Sequence, residues 1–219
     1  MATSRIRRAL RDCGLSLVLG TLFLLFLSGQ IFAGWNHFNE ENRRHGVPVV
    51  TLSDYVRTGA CGEAVFENWE SEFLQMGIYV VLTAFLFQRG SAESRDPDAA
   101  ESAAERDSPR DPPPFRRVLV RFLYAHSLSL AFLTMFLLSL LGHAICGLAA
   151  VNEDAVLHGR GLSTIWQYVG SAQFWFESLQ NWQSEFLAIL ALVVLSIWLR
   201  EKGSPQSKPL EAAHPQTGG

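Results

Sequence analysis

Residues 68–74 read NWESEFL, and residues 181–187 read NWQSEFL, 113 positions further along the chain. Each copy leads into an apolar run, which extends over Phe73–Gln88 in the first case and over Phe186–Leu199 in the second. Two such similar heptapeptides in equivalent surroundings indicate an internal duplication, and a duplication sets the architecture of a chain.

The similarity extends well beyond the heptapeptides when the chain is shifted by 113 residues and compared without gaps. From Leu15 to Ser94, 30 of the 80 positions are identical to their counterparts. Apolar composition explains some of these matches, but it does not explain polar pairs that recur in register. These pairs are Asn39-Glu40 with Asn152-Glu153, His45-Gly46 with His158-Gly159, and Tyr55-Val56 with Tyr168-Val169. The sequence therefore predicts two tandem repeats.

Long apolar runs indicate that the repeats lie in a membrane. Gly14–Trp35 and Phe122–Val151 contain no charged residue, and each exceeds the roughly 20 residues that cross a bilayer core. Each repeat then consists of a long helix, an outer loop and a short helix. Because a repeat holds an even number of spans, both copies enter the membrane from the same side and are parallel. We expect an all-α, membrane-spanning protein of four helices.

The distribution of arginine and lysine gives the orientation. Basic residues are concentrated in the N-terminus, the middle linker and the tail, whereas the two loops hold four: Arg43, Arg44, Arg57 and Arg160. By the positive-inside rule, both termini and the linker are predicted to be cytoplasmic, and the loops face outward. The net charge of −3 and the scattered basic residues exclude a nucleic-acid-binding surface.

These features divide the chain into five segments. We expect a basic cytoplasmic N-terminus (1–13), a first two-span repeat (14–89), a cytoplasmic linker (90–114), a second two-span repeat (115–202) and a cytoplasmic tail (203–219). The linker is rich in serine, alanine, proline and charged residues, and the tail is similar. Such segments bury too little apolar surface to fold, so both are predicted to be disordered.

The heptapeptides predict where two helices begin at the outer surface. Asn68 and Asn181 are favoured N-cap residues, whose side chains accept hydrogen bonds from free backbone N–H groups. Trp69 and Trp182 suit the aromatic belt at the membrane interface. We expect these four residues to act as helix caps and interface anchors.

Glu72 and Glu185 have two interpretations. In a first helical turn, their negative charge is favoured by the helix dipole. However, the apolar runs that follow span about 24 Å and about 21 Å at 1.5 Å per residue, less than a core of roughly 30 Å. The two carboxylates would then lie below the outer surface, where they must be paired or wetted. Facing each other, they form a candidate proton or cation pair.

Polar residues of the loops and long helices give further candidates. Two glutamates and two histidines related by the repeat can hold a divalent metal such as zinc: Glu40, His45, Glu153 and His158. The alternative is a pair of solvated helix ends, each stopped by glycine. Gln30 and His143 are equivalent positions within the long helices, where a polar side chain usually hydrogen-bonds to another helix. Cys61 and Cys146 leave both a disulfide and isolated thiols open.

Most of the chain carries motifs that resemble one family. The motifs lie at Leu15–Gln30, Gly34-Trp35, Asn39–Glu41, His45-Gly46, Phe66–Gln75, Phe85–Ser94, Phe174–Leu187 and Ala191–Lys208. They resemble an uncharacterised bacterial family of small four-helix transmembrane proteins with an internal NWxSEFL repeat. The sequence departs from that pattern at Val151–Asp154. The resemblance implies a location in the bacterial inner membrane, and it supplies no activity and no catalytic residue.

No Ser/His/Asp order, phosphate-binding loop or HExxH motif occurs, so neither an enzyme nor a cofactor is predicted. We expect a structural or interaction component of the cell envelope. Its partners would be the lipid bilayer and either a second copy or another membrane protein. The alternative is a small channel or transporter in which Glu72 and Glu185 line a proton or cation path.

Overall fold

The structure, a computed structural model, describes residues 2–97 and 115–218. Its helices are α1 (Ala2–Arg44), α2 (Leu52–Tyr55), α3 (Gly59–Phe85), α4 (Phe115–Ala125), α5 (Ser127–Leu157), α6 (Ile165–Val169) and α7 (Ala172–Leu195). The described residues contain no strand. The prediction of an all-α protein is therefore confirmed.

Three helices of the described chain are long and apolar enough to cross a membrane, judged by length and composition. They are Asp12–Arg44 within α1, together with α5 and α7. Helix α3 has 27 residues, but its first half carries four glutamates, at positions 63, 67, 70 and 72. Only the second half of α3 is apolar, so a fourth span remains a prediction.

The heptapeptides lie inside helices rather than at their starts. Helices α3 and α7 begin nine residues before Asn68 and Asn181. Helix α7 is capped by Ser171, whose hydroxyl accepts a hydrogen bond from the backbone N–H of Phe174 at 3.2 Å. The prediction that the two asparagines cap helices is wrong. The polar residues before them continue the helix because, as shown below, several turn inward to partners on other helices.

The first compact unit of the chain comprises residues up to Glu63 and Cys146–Leu162. Here the loop after α1 folds back onto the helix. The side chain of Asn39 donates to the backbone O of Val50 at 3.0 Å and accepts from its N–H at 2.8 Å. Tyr55 is buried, and its hydroxyl packs so closely on Gly34 that a Cβ at that position would overlap it.

The two long helices that end in this unit, α1 and α5, have the same backbone geometry at their C-termini. Gly46 follows α1 with φ of 70°, and Gly159 follows α5 with φ of 63°, a region that glycine enters without a steric penalty. The closing bonds run from Val47 N–H to Asn42 O and from Arg160 N–H to Ala155 O, both at 2.8 Å. Each satisfies a carbonyl that the helix leaves free, in the arrangement of a Schellman motif.

The second compact unit comprises Ala64–Ile145 and Ser163–Gly219. Within it, α3 packs closely against α5. The ring of Phe66 lies over Gly142, where a Cβ would lie 2.6 Å from the ring, and Gly77 lies against Phe132. The ring of Phe136 on α5 meets Trp182 of α7 at 6.1 Å. These contacts bring one face of α3, α5 and α7 together.

The tail belongs to this unit, and the structure describes its residues 203–218. Lys208 is buried, and its ammonium donates to the backbone oxygens of Gly90, Ala213, His214 and Gln216. Burial and the nearby Arg200 guanidinium lower the pKa of this ammonium. Hydrogen bonds, rather than apolar burial, hold the segment in the structure, and the predicted disorder of the tail stays a prediction. Most of the linker, residues 98–114, lies outside the described residues.

Candidate functional site

A fully buried histidine lies at the centre of the second unit. Nδ1 of His143, on α5, is 3.1 Å from Oε2 of Glu70 on α3, and neither side chain is exposed to solvent. Nε2 of the same ring is 3.4 Å from Oε2 of Glu177 on α7. The imidazole thus bridges carboxylates from two other helices and uses both of its nitrogens.

Helical periodicity explains how these polar side chains come together. Residues three and four apart share one face of a helix. On α3, that spacing aligns Glu67, Glu70 and Ser71, and on α7 it aligns Phe174, Glu177, Ser178 and Asn181. The buried residues of both groups face the His143 side of α5. The polar cluster is therefore a property of two helix faces and not of one loop.

Hydrogen bonds extend the cluster beyond the histidine. The hydroxyl of Tyr168 donates to Oε2 of Glu177 at 3.2 Å, and the amide of Gln173 donates to its Oε1 at 3.0 Å. The amide of Asn181 donates to Oε1 of Glu67 at 2.7 Å. Glu67 in turn interacts electrostatically with the histidine and with both other carboxylates. Three carboxylates therefore surround one imidazole.

Aromatic rings enclose this cluster. Phe174 stacks on the ring of His143 at 4.8 Å with an interplanar angle of 27°, and Tyr168 meets Phe174 edge-on at 5.5 Å. Helix α6 presents Tyr168, and its start is held by a capping box in which Thr164 and Gln167 bond each other's backbone N–H. The rings hold the imidazole in one plane and exclude water from one of its faces.

Some polar atoms of the same faces have no hydrogen-bond partner within the described residues. They are Oε1 of Glu70, Oγ of Ser178 and Nε1 of Trp182, all buried. Leaving such an atom unsatisfied costs about 1–3 kcal/mol.

The charges of the cluster favour the uptake of positive charge. If Glu67, Glu70 and Glu177 were all ionised, even a protonated His143 would leave a net negative charge in a buried site, which is costly. Protons can remove that charge. A neutral imidazole donates at one nitrogen and accepts at the other, whereas an imidazolium donates at both. Exchange between these forms moves a proton from one side of the ring to the other.

Comparison with known proteins places the chain in a family without giving it a function. Residues 6–219 match a family model described as a domain of unknown function, DUF6766. The chain belongs to the DUF6766 family. No curated protein and no solved structure matches the chain significantly. The resemblance to an uncharacterised family is therefore confirmed, and the chemistry must come from the residues of this DUF6766 chain.

The two glutamates predicted to form a proton or cation site lie close to each other in the DUF6766 chain. Glu72 is exposed and Glu185 is half-buried, and their carboxylates interact electrostatically. The amide of Gln75 donates to the backbone O of Glu185 at 2.9 Å, which ties α3 to α7 at this level. Both residues lie well inside their helices rather than in first turns.

The predicted caps and anchors have other partners. The amide of Asn68 donates to the backbone O of Ala64 at 2.7 Å, and Asn181 belongs to the buried cluster. Trp69 packs edge-on against Phe66 at 5.8 Å. The indole nitrogen of Trp182 is buried, and the role of both tryptophans as interface anchors stays a prediction.

The predicted metal ligands are only partly brought together. The rings of His45 and His158 lie 5.9 Å apart. Glu40 instead approaches Arg44 at 4.0 Å, and Glu153 accepts the backbone N–H of Gly59 at 3.4 Å. Cys61 and Cys146 are both free thiols in the structure.

Sequence reasoning missed the acidic members of the buried cluster. It predicted that His143 hydrogen-bonds to another helix, and the contact with Glu70 confirms this. Shifted by 113 residues, however, His143 matches Gln30, Glu70 matches Gln183 and Glu177 matches Ala64. Comparing the two predicted repeats for identical residues does not detect a site whose residues occur in only one of them. The available signal was helical spacing: Glu67 and Glu70 share one face of α3, and Glu177 shares one face of α7 with Asn181.

Proposed function

We propose that this DUF6766 protein is a multi-pass protein of the bacterial inner membrane in which the cluster around His143 carries protons. The observation that carries the proposal is the bridging geometry. His143 contacts Glu70 through Nδ1 and Glu177 through Nε2, so a proton taken up on one side of the ring can be released on the other.

The surroundings of the bridge support proton transfer rather than simple ion pairing. Glu70, His143, Glu177 and Tyr168 form an unbroken row of hydrogen-bonded, ionisable side chains. Glu67 adds a further carboxylate, and Glu63 lies one turn before it on α3. Ionisable groups within membrane-capable helices are expensive and commonly mark proton relays and ion pathways. The excess of carboxylates over cations allows the row to hold exchangeable protons.

The proposed architecture is two parallel two-span repeats with both termini in the cytoplasm. Corresponding helix boundaries support it, because each pair lies 113 residues apart: the ends of α1 and α5, and the starts of α2 and α6 and of α3 and α7. The left-handed glycines form two further such pairs, Gly46 with Gly159 and Gly90 with Gly203. The apolar second half of α3 would provide the fourth span.

Two other roles have support of their own. The proximity of Glu72 and Glu185 favours a second proton or cation path between α3 and α7. The membrane-length window of α1 has none of its residues buried, which favours a structural or interaction role in the envelope. In that role the bilayer, a second copy or another membrane protein would cover α1, and the His143 cluster would only join helices.

Proton flux into liposomes separates these roles. The full chain is reconstituted with a pH-sensitive dye inside, and a potassium gradient with valinomycin drives proton entry. We expect His143→Gln and Glu70→Gln to lose at least 90% of the flux, as an order-of-magnitude estimate for a general acid–base group. The control His126→Gln should retain the flux.

Three outcomes would overturn the proposal or redirect it. Equal flux in His143→Gln and the unaltered protein rejects the cluster as the path. Loss only in the Glu72→Gln/Glu185→Gln double variant assigns the path to that pair. No flux in the unaltered protein, with folding verified by circular dichroism, leaves the structural role.

A further inference from the structure

Two histidines from distant parts of the sequence meet in the first compact unit. The rings of His45 and His158 have centroids 5.9 Å apart and an interplanar angle of 82°. Both residues are exposed, so the pair is not a consequence of core packing. Each follows the last residue of a long helix and precedes a left-handed glycine, Gly46 or Gly159. The same local geometry therefore presents both imidazoles.

One of the two rings is held in the orientation that a metal ligand needs. Nδ1 of His158 lies 3.0 Å from Oδ1 of Asp154 and 2.9 Å from its backbone oxygen. Because both partners are acceptors, the neutral ring carries its proton on Nδ1 and keeps the lone pair on Nε2. A carboxylate behind a histidine in this way fixes the tautomer and increases its basicity as a ligand.

The separation of the rings suits a shared ion. With a metal–nitrogen bond of about 2.0–2.1 Å, two imidazoles on one ion have centroids roughly 5–6 Å apart. Imidazole pairs favour zinc, copper and nickel over calcium or magnesium. Two neighbouring arginines have acidic partners: Arg44 pairs with Glu40 and Glu41, and Arg160 pairs with Asp154.

We propose that His45 and His158 bind one divalent transition-metal ion, with Asp154 as a positioning residue and water completing the coordination. This site has fewer protein ligands than the four-residue set that the sequence suggests, because Glu40 and Glu153 have other partners. The metal site shares no residue with the His143 cluster, so a result against one proposal does not count against the other.

Metal binding by the purified full chain tests the site. Equilibrium dialysis against Zn²⁺, followed by elemental analysis, should give one ion per chain. We expect His45→Ala and His158→Ala each to weaken binding at least tenfold and Asp154→Asn to weaken it less. His37→Ala, a change at an exposed histidine in the same unit, is the matched control. Binding that is equal in His45→Ala and His37→Ala overturns the proposal.

A second measurement uses the unaltered chain, so it tests the site even if the variants fold poorly. In the unaltered chain, Zn²⁺ should protect His45 and His158, but not His37, from modification by diethylpyrocarbonate. Mass spectrometry of peptides reports each site separately. Equal modification of all three histidines with and without Zn²⁺ would also reject the site.

Discussion

Glu70 and His143 form a fully buried carboxylate–imidazole pair, with 3.1 Å between Oε2 and Nδ1. The second carboxylate oxygen of Glu70 has no partner within the described residues. The pair joins α3 to α5, while Glu177 joins the same ring to α7. Stability and the proposed proton transfer therefore depend on the same side chains, and substitutions of different shape can separate the two.

Glu70→Ala should destabilise the protein far more than Glu70→Gln. The alanine leaves Nδ1 of a buried imidazole without its partner, a loss of about 3–5 kcal/mol. The glutamine keeps an acceptor of the same shape and costs roughly 1 kcal/mol. Thermal unfolding in detergent, followed by circular dichroism, measures both. Equal melting temperatures for the two variants would show that the Nδ1 contact contributes nothing to stability.

Gly142→Ala should destabilise the packing of α3 on α5. A Cβ at this position would lie 2.6 Å from the ring of Phe66, and overpacking of that kind costs about 1–3 kcal/mol. At Gly29, 113 residues earlier in the chain, a Cβ would have nothing within 4 Å of it. Gly29→Ala should therefore be neutral or stabilise α1 by up to about 1 kcal/mol. The same melting temperature shift in both variants would contradict this packing.

Lys208→Met should release the tail without unfolding the helices. The substitution removes an ammonium that donates to four backbone oxygens. We expect faster hydrogen exchange over residues 203–218 and unchanged exchange in α5. Lys202→Met, at an exposed position before the same segment, is the control. Exchange in the tail that matches the control would mean that the Lys208 contacts do not order it.

Glu72→Gln and Glu185→Gln should be non-additive. Either change removes the repulsion between the two carboxylates, so the second change adds little. The coupling should be roughly 0.5 kcal/mol or less, because Glu72 is exposed and solvent screens the interaction. A double-mutant cycle in thermal unfolding measures it. Strict additivity would show that the two groups do not interact.

Cysteine labelling tests the proposed parallel topology. Cys61 is too deeply buried for this purpose, so single cysteines are placed at the equivalent exposed positions Ser53 and Trp166 in a cysteine-free chain. Ser53→Cys and Trp166→Cys should both react with a membrane-impermeant reagent from outside the cell, and Lys202→Cys should not. Labelling of the first two from opposite sides would rule out parallel repeats.

Residue patterns predicted the helical segments that both halves share, but they missed where α3 and α7 begin and which residues join the buried cluster. The equivalence of His45 and His158 was visible in the sequence, and the two rings do meet. The interior positions of Asn68 and Asn181 were not visible, because N-cap propensity is a local signal and the helices are extended by contacts between α3 and α7. Likewise, the order around Lys208 depends on backbone carbonyls, which leave no signature in composition.

The match between Gln30 and His143 has a consequence for how the two halves evolve. Only one half carries the imidazole, so a harmful change at that position has no counterpart elsewhere in the molecule to take over its chemistry. In the other half, the corresponding residue Gln30 can vary as long as the two halves still pack together. Under the proposed duplication, this division of roles means that the two parts of the chain are no longer interchangeable.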